Sequence, residues 1–227
     1  MTTTLEYMGA EIPVRNGNVR MSYLRSIKDL ERLKKIIKQW KGKVGGKIAP
    51  KKDDALEFAS LATERWRVQH VQKRTADRID RIQELKTDNP NVEVGILAVA
   101  YAMWTRPRTV VGICGFRCTW PSNIAVDYLV VHPILEDMKP SPIDGLGAGI
   151  MQHVCAVANQ INARTLWGET TQNSVAFYRK ILGVPAIDDL IVLKRKAYTN
   201  FMTQLSALQT SRKTSLGGHK KGIIRRK

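Results

Sequence analysis

Apolar positions along the chain change period several times, and each change predicts an element. NVRMSYLRS (18–26) alternates as a first strand does. IKDLERLKKIIKQW then sets Leu30, Leu33, Ile37 and Trp40 three and four residues apart, one stripe of an amphipathic helix. KGKVGGKIAPKKDD is a glycine- and lysine-rich connection that ends on a helix-start signal, Asp53–Asp54. From 54 to about 86 the chain is helix-prone: Leu56, Ala59, Ala62 and Trp66 form one stripe, and Val71, Ile79, Ile82 and Leu85 a second. The break near 67–75 predicts two helices or a bend, and Asn89–Pro90 stops the block.

Val- and Ile-rich runs follow. Strands are predicted over 92–104, 109–120 and 124–132, the first two as an antiparallel pair and the third, almost wholly apolar, as a central strand. Beyond a proline-containing loop, Ile150, Val154, Val157, Ala158 and Ile161 mark a helix from Gly149 to Asn162. RTLWGET is a strand, SVAFYRKIL a short helix closed by Gly183, LIVLKRKAY a last strand and FMTQLSALQ a last helix. Strand, helices, three strands, helix, strand, helix, strand predicts an α/β fold: a mixed, mostly antiparallel sheet of about six or seven strands flanked by helices. Residues 1–210 read as a single domain with a helical elaboration at about 54–86, and 211–227 as a basic, disordered tail.

Charge adds a constraint that periodicity does not. Lys+Arg of 37 against Asp+Glu of 20 gives +17. Residues 28–52 hold ten Lys/Arg and two acids, and 212–227 hold seven Lys/Arg and no acid. Such a field favours polyanions, RNA or the ribosome among them, or it is a solvated basic surface. No apolar run reaches the ~20 residues of a membrane span, so no membrane partner is expected. The N-terminal stretch lacks a secretion signal, and Cys114, Cys118 and Cys155 read as reduced thiols, which together predict a cytoplasmic protein. The scattered histidines suggest no metal site.

The chemistry concentrates at PIDGLGAGIM (142–151). Gly145, Gly147 and Gly149 open the helix, whose unpaired N–H groups and dipole make an anion site; a plain tight turn explains the glycines equally. Their spacing fits neither a Walker A loop nor a dinucleotide fingerprint. Asp144 stands at the mouth, where a carboxylate repels phosphate unless it turns away to cap the helix. Asp127, inside an apolar strand, requires a partner or a use; period-two alternation puts it on one face with Leu129 and Val131.

VDYLVVHP, then DGLGAGI, then NSVAFYRKILG resembles the GNAT superfamily of N-acetyltransferases over about residues 92–195. Val131-His132-Pro133 is similar to the family's strand end, Gly147 and Gly149 to its two signature glycines, and Asn173 with Tyr178 to its later motif. The resemblance implies a sheet splayed between its central strands, with acetyl-CoA as co-substrate. Its pyrophosphate would lie on Asp144, Gly145, Leu146, Gly147, Ala148 and Gly149, and its pantetheine along Leu129, Val130 and Val131, where β-strand 164–170 diverges. Asn173 would hold the cofactor arm, or cap its helix. Tyr178 would serve as general acid, or pack as a buried aromatic. Asp127, or second Glu169, would be the base or orient the amine, while an ion pair with an arginine is the alternative for Asp127. Two departures stand out: the acid at 144 and the long 133–144 loop, from which Lys139 could return to neutralise phosphate. Trp104, Arg106 and Trp120 are candidates for the acceptor side. The implied reaction is direct attack by a primary amine, which the charge suggests is linked to RNA or the ribosome. The rival is a non-catalytic nucleic-acid-binding protein on the same scaffold. The oligomeric state is open, a homodimer included.

Overall fold

The computed structural model describes residues 10–12, 14, 19–43, 50–103, 109–120, 122–133, 135 and 143–217, with the side chains of 10, 41–43, 50–52 and 208–217 excepted. Seven strands form one sheet in chain order: β1 Ala10–Ile12, β2 Val19–Tyr23, β3 Val94–Ala102, β4 Thr109–Thr119, β5 Asn123–Val131, β6 Thr165–Glu169 and β7 Leu190–Lys194. Every neighbouring pair is antiparallel except β5–β6, which is parallel. The fold class expected from the sequence is the one observed.

Six helices, among the described residues, cover the faces. α1 (Ile27–Lys43) and α2 (Pro50–Val71) lie on one side, where Leu30, Leu33, Ile37 and Trp40 meet Leu56, Ala59, Ala62 and Trp66 over Leu97, Val99 and Ile113. The other face carries the larger core, built on α3 (Ile79–Asp88), α4 (Leu146–Gln160), α5 (Val175–Leu182) and α6 (Arg195–Gly217). The stripes read from the sequence are therefore core stripes. Val71 is the exception: it ends α2 and is 72% exposed.

Several boundaries differ from expectation. β1 pairs with β2 ahead of the expected first strand; three residues are too few to show a period. The last strand ends at Lys194, and Arg195 begins α6, so Tyr198 is a buried helical residue whose hydroxyl donates to Ala163 O at 2.7 Å. α6 runs on to Gly217, so the helix continues past the boundary expected at 210.

Two irregularities place the site. β4 and β5 pair Gly115 with Tyr128 but Phe116 with Val126, which leaves Asp127 as an extra residue, a β-bulge. Beyond it the strands part: β5 pairs with β6 only from Ile124 to Val126, against Leu166 to Gly168.

Candidate active site

The divergence of β5 from β6 leaves a stretch of backbone without a partner strand on one side. His132 N donates to Val111 O at 2.8 Å beside the Gly112–Val131 pair. That phase turns the N–H and C=O groups of Leu129 and Val131 away from β4, toward the side β6 has left. The side chains of Leu129 and Val131 pack with the α4 face, and those of Tyr128 and Val130 with the α1–α2 face. An extended, amide-bearing ligand can add to this open edge as a strand would.

The N-terminus of α4 carries the glycines. The helix starts at Leu146, earlier than the Gly149 expected, so Gly147 and Gly149 lie within its first turn and Gly145 is its N-cap. Gly145 sits in the left-handed region at φ +81, and a Cβ there would meet nothing within 4 Å among the described residues. The residue is thus glycine for its backbone, and the space beside it is open. Gly147 is glycine for packing: a Cβ would stand 2.8 Å from Phe177 Cζ of α5. The N-cap position is Gly145, which has no side chain to cap with, and Asp144 stands half-buried just before it. The first N–H groups of α4, at Leu146, Gly147 and Ala148, are the ones a helix leaves without intrahelical partners. A phosphate has donors there, and no bulk beside Gly145 keeps it away. Backbone edge and helix terminus together fit a ligand with an amide arm and a phosphate end.

Tyr178 lies in α5, buried against the core at 6% exposure, its ring 5.0 Å from that of Phe177. Burial, and then the neighbouring Cys114, push the phenol well above its ordinary range, so it stays protonated across the physiological span. Among the described residues its hydroxyl has no hydrogen-bond partner.

Asp127 does not share a face with Leu129 and Val131. The bulge inserts one residue into the alternation and turns the carboxylate to the α2 side. There Arg117 of β4 grips both oxygens, Nε at 2.8 and 3.1 Å and Nη2 at 3.0 Å, and Arg65 of α2 lies 3.4 Å away. Arg117 reaches on to Glu93 at 2.7 Å. The ion-pair alternative is thus the observed geometry. Glu169 ends β6 exposed, with no ion pair among the described residues. It shares a face with Trp167, across from Leu190 and Val192 of β7. Asn173, exposed, caps nothing: its Nδ2 donates to Asp54 Oδ2 at 2.9 Å and ties the turn before α5 to the start of α2. Trp120 is 61% exposed in the β4–β5 turn, whereas Trp104, Arg106 and Lys139 lie outside the described residues.

Two groups escaped the sequence reading. Arg65 and Arg117 belong to the Asp127 cluster, and only the fold brings three distant segments together there. Tyr23 of β2 and His153 of α4 are buried and hydrogen-bonded to each other through the hydroxyl and Nε2.

No family model matches the sequence, and no curated protein does. Solved structures similar to it are acetyltransferases. One is a nourseothricin acetyltransferase, at 21% identity and TM-score 0.31, over 38% of this chain and 48% of that one, so about half of its length is spanned. Another is a GNAT-family acetyltransferase from Staphylococcus aureus Mu50, at 12% identity and TM-score 0.44, over 78% of this chain and 99% of that one. A third, a Bacillus subtilis acetyltransferase in complex with CoA, matches at 13% identity and TM-score 0.33, over 49% of this chain and 82% of that one.

Proposed function

We propose that the chain is a GNAT-type N-acetyltransferase that moves an acetyl group from acetyl-CoA to a primary amine by direct attack. The observation that carries the reading is the parting of β5 from β6 after Val126, in the same fold as an α4 N-terminus whose N-cap is Gly145, beside which the described residues leave open space. Bound acetyl-CoA would supply the activated acyl carbon. Leu129 and Val131 would hold its amide arm through their free backbone groups, with Val130 between them. The turn from Asp144 to Gly149 would hold the pyrophosphate.

Tyr178, kept protonated by burial, is assigned the donor of a proton to the departing thiolate. Glu169, exposed and unclamped, is the better placed of the two acids to take a proton from the amine. Asp127, with its oxygens occupied by two guanidinium groups, is assigned the role of fixing the bulge and the attitude of β5. Asn173 steadies α5 against α2. No step requires a covalent enzyme intermediate. The acceptor is assigned to amines carried on a polyanion, RNA or the ribosome, on the strength of the +17 charge and the exposed Lys28, Arg32, Lys35 and Lys38 of α1.

The half-buried carboxylate of Asp144 beside the phosphate position favours one rival, a nucleic-acid-binding protein that no longer takes acetyl-CoA. Titration with acetyl-CoA under thermal denaturation separates the two. A ligand that binds only the folded chain adds about 2.7 kcal/mol at a hundredfold excess over Kd and raises Tm. An unchanged Tm at saturating acetyl-CoA rejects the enzyme. If Tm rises, mass spectrometry of cell extract incubated with labelled acetyl-CoA identifies the acceptor.

A further inference from the structure

α1 leaves a corner open beside the β2–β3 ladder, and a cavity of about 290 Å³ occupies it. The floor is sheet. Ser22 and Val99 pair across the two strands, and Tyr101 lies two residues beyond Val99 on the same face. The wall is the first half of α1, with Asp29, Arg32 and Ile36. Such a volume is at the small end for a ligand site and suits one flat ring system with a polar edge.

The polar groups of the corner are only partly spent. Among the described residues the hydroxyls of Ser22 and Tyr101 have no hydrogen-bond partner. Burial, and then the carboxylate of Asp29, push the Tyr101 phenol up, so it remains a donor. Asp29 Oδ2 accepts from Ser26 Oγ at 2.9 Å, while its Oδ1 meets Arg32 Nη1 only at 3.9 Å. Arg25 stands at the rim, 3.5 Å from Asp77, and Arg20, opposite Tyr101, pairs with Glu11 at 3.3 Å.

Positive charge runs on from the cavity along α1. Lys28, Arg32 and Lys35 stand four and three residues apart in one exposed line, over roughly 10 Å of helix. Arg32 belongs both to that line and to the cavity. The acid beside the line, Glu31, lies 3.6 Å from Lys34. Tyr101 pairs with Val110, just beyond the Gly112–Val131 pair, so the cavity opens at the end of the sheet where β5 and β6 have parted.

We infer that this corner is a binding site for single-stranded RNA, in which one unpaired base enters the cavity against the Tyr101 ring and the adjoining phosphates lie on Arg32 and the basic line of α1. Asp29 accepts from an N–H on the edge of the base, and the Ser22 and Tyr101 hydroxyls donate to its carbonyl or ring nitrogen. Stacking on one aromatic ring and ion pairing along one helix are the two parts of single-strand binding. A duplex has its bases stacked inside and offers none to a cavity. The inference rests on the polyanion-borne acceptor proposed above and not on the transfer chemistry: it names what grips the carrier of the amine.

Fluorescence anisotropy of the full chain tests this, with a short labelled RNA of mixed sequence, single-stranded and then annealed to its complement. The single strand is expected to bind the tighter of the two. Tyr101→Leu keeps apolar bulk on the floor and is expected to weaken single-strand binding roughly tenfold at every salt concentration, with the salt slope unchanged. Arg32→Ala is expected to make that slope shallower by about one. RNA carrying 5-iodocytidine is expected to crosslink to Tyr101 on irradiation, as mass spectrometry of the digest would show. The melt of each variant reports that it is folded. Salt-dependent binding that Tyr101→Leu leaves as tight, or that Arg32→Ala leaves with its full slope, overturns the site and lets the polyanion-borne acceptor stand. So does a duplex bound as tightly as the single strand, or a crosslink that maps elsewhere. A chain that binds neither RNA overturns both, and the acetyl-CoA titration then decides the transfer reading by itself.

Discussion

Asp127 shows how far a residue's meaning depends on one position of register. Its side chain is 8% exposed and that of Arg117 is 13%, so the pair is withdrawn from solvent on both sides. Removing one partner strands the other charge, which costs about 3 kcal/mol. Asp127→Ala is therefore expected to lower stability by about that amount in urea unfolding, and Arg65→Ala by much less, since its side chain is 41% exposed. His153 gives a second prediction. Burial pulls its imidazole down to about 4 in the folded chain from an ordinary value of 6.5. The unfolded chain then takes up a proton that the folded one refuses. Stability is full above pH 6.5 and falls as pH drops from there toward 4, by about 3 kcal/mol in all. Unfolding followed against pH should show that slope, and His153→Phe should flatten it. At Tyr178 the expected outcome is kinetic: Tyr178→Phe lowers kcat without weakening acetyl-CoA, as single-turnover and binding measurements would separate. Asp127 was legible from the sequence as a buried acid in want of a partner. Its face was not, because period two holds only while the ladder is regular, and nothing in VDYLVV marks the bulge.

At the scale of elements, periodicity located what packing later confirmed. The stripes of α1 and α2 were visible because a helix over a sheet must put its apolar residues every three or four positions. β1 and the true start of α4 were hidden for opposite reasons. Ala10–Ile12 is too short to show a pattern, and the glycines at 145, 147 and 149 read as loop because glycine weakens a helix that lacks tertiary support. Here the support is Phe177, 2.8 Å from where a Gly147 Cβ would lie. Gly147 is consequently a poor probe of phosphate binding, since any side chain there also forces α4 from α5. Gly145 is the better one. Gly145→Ala keeps the space but strains the backbone by about 1–2 kcal/mol at φ +81. It should weaken the Tm response to acetyl-CoA more than it lowers the Tm of the free chain.

For the whole molecule, the sequence disclosed the sheet and the charge, and three dimensions were needed to show how they are distributed. The order of strands followed from the order of elements, since consecutive units become neighbours. The parting of β5 and β6 could be expected only from a resemblance, because no local pattern states where two strands stop pairing. Among the described residues no helix is long and apolar enough to cross a membrane. The charge leads to a test of its own. If the acceptor is polyanion-borne, the chain should bind single-stranded RNA with an affinity that falls linearly in log–log terms with salt, and loss of 212–227 should make that slope shallower. Salt-independent binding, or none at low salt, removes the polyanion from the proposal.

The bulge in β5 has one more implication. Without Asp127 the strand would still alternate correctly: Val126 toward α4, Tyr128 toward α2, Leu129 toward α4. The alternation makes no use of the extra residue, whose carboxylate serves Arg117 and Arg65 instead. Deleting Asp127 should give an unbroken β4–β5 ladder at about the stability cost of Asp127→Ala, because Arg117 loses the same carboxylate, and should abolish the proposed acetyl transfer. Among related chains, a one-residue gap at this position would separate those that keep the scaffold from those that keep the work.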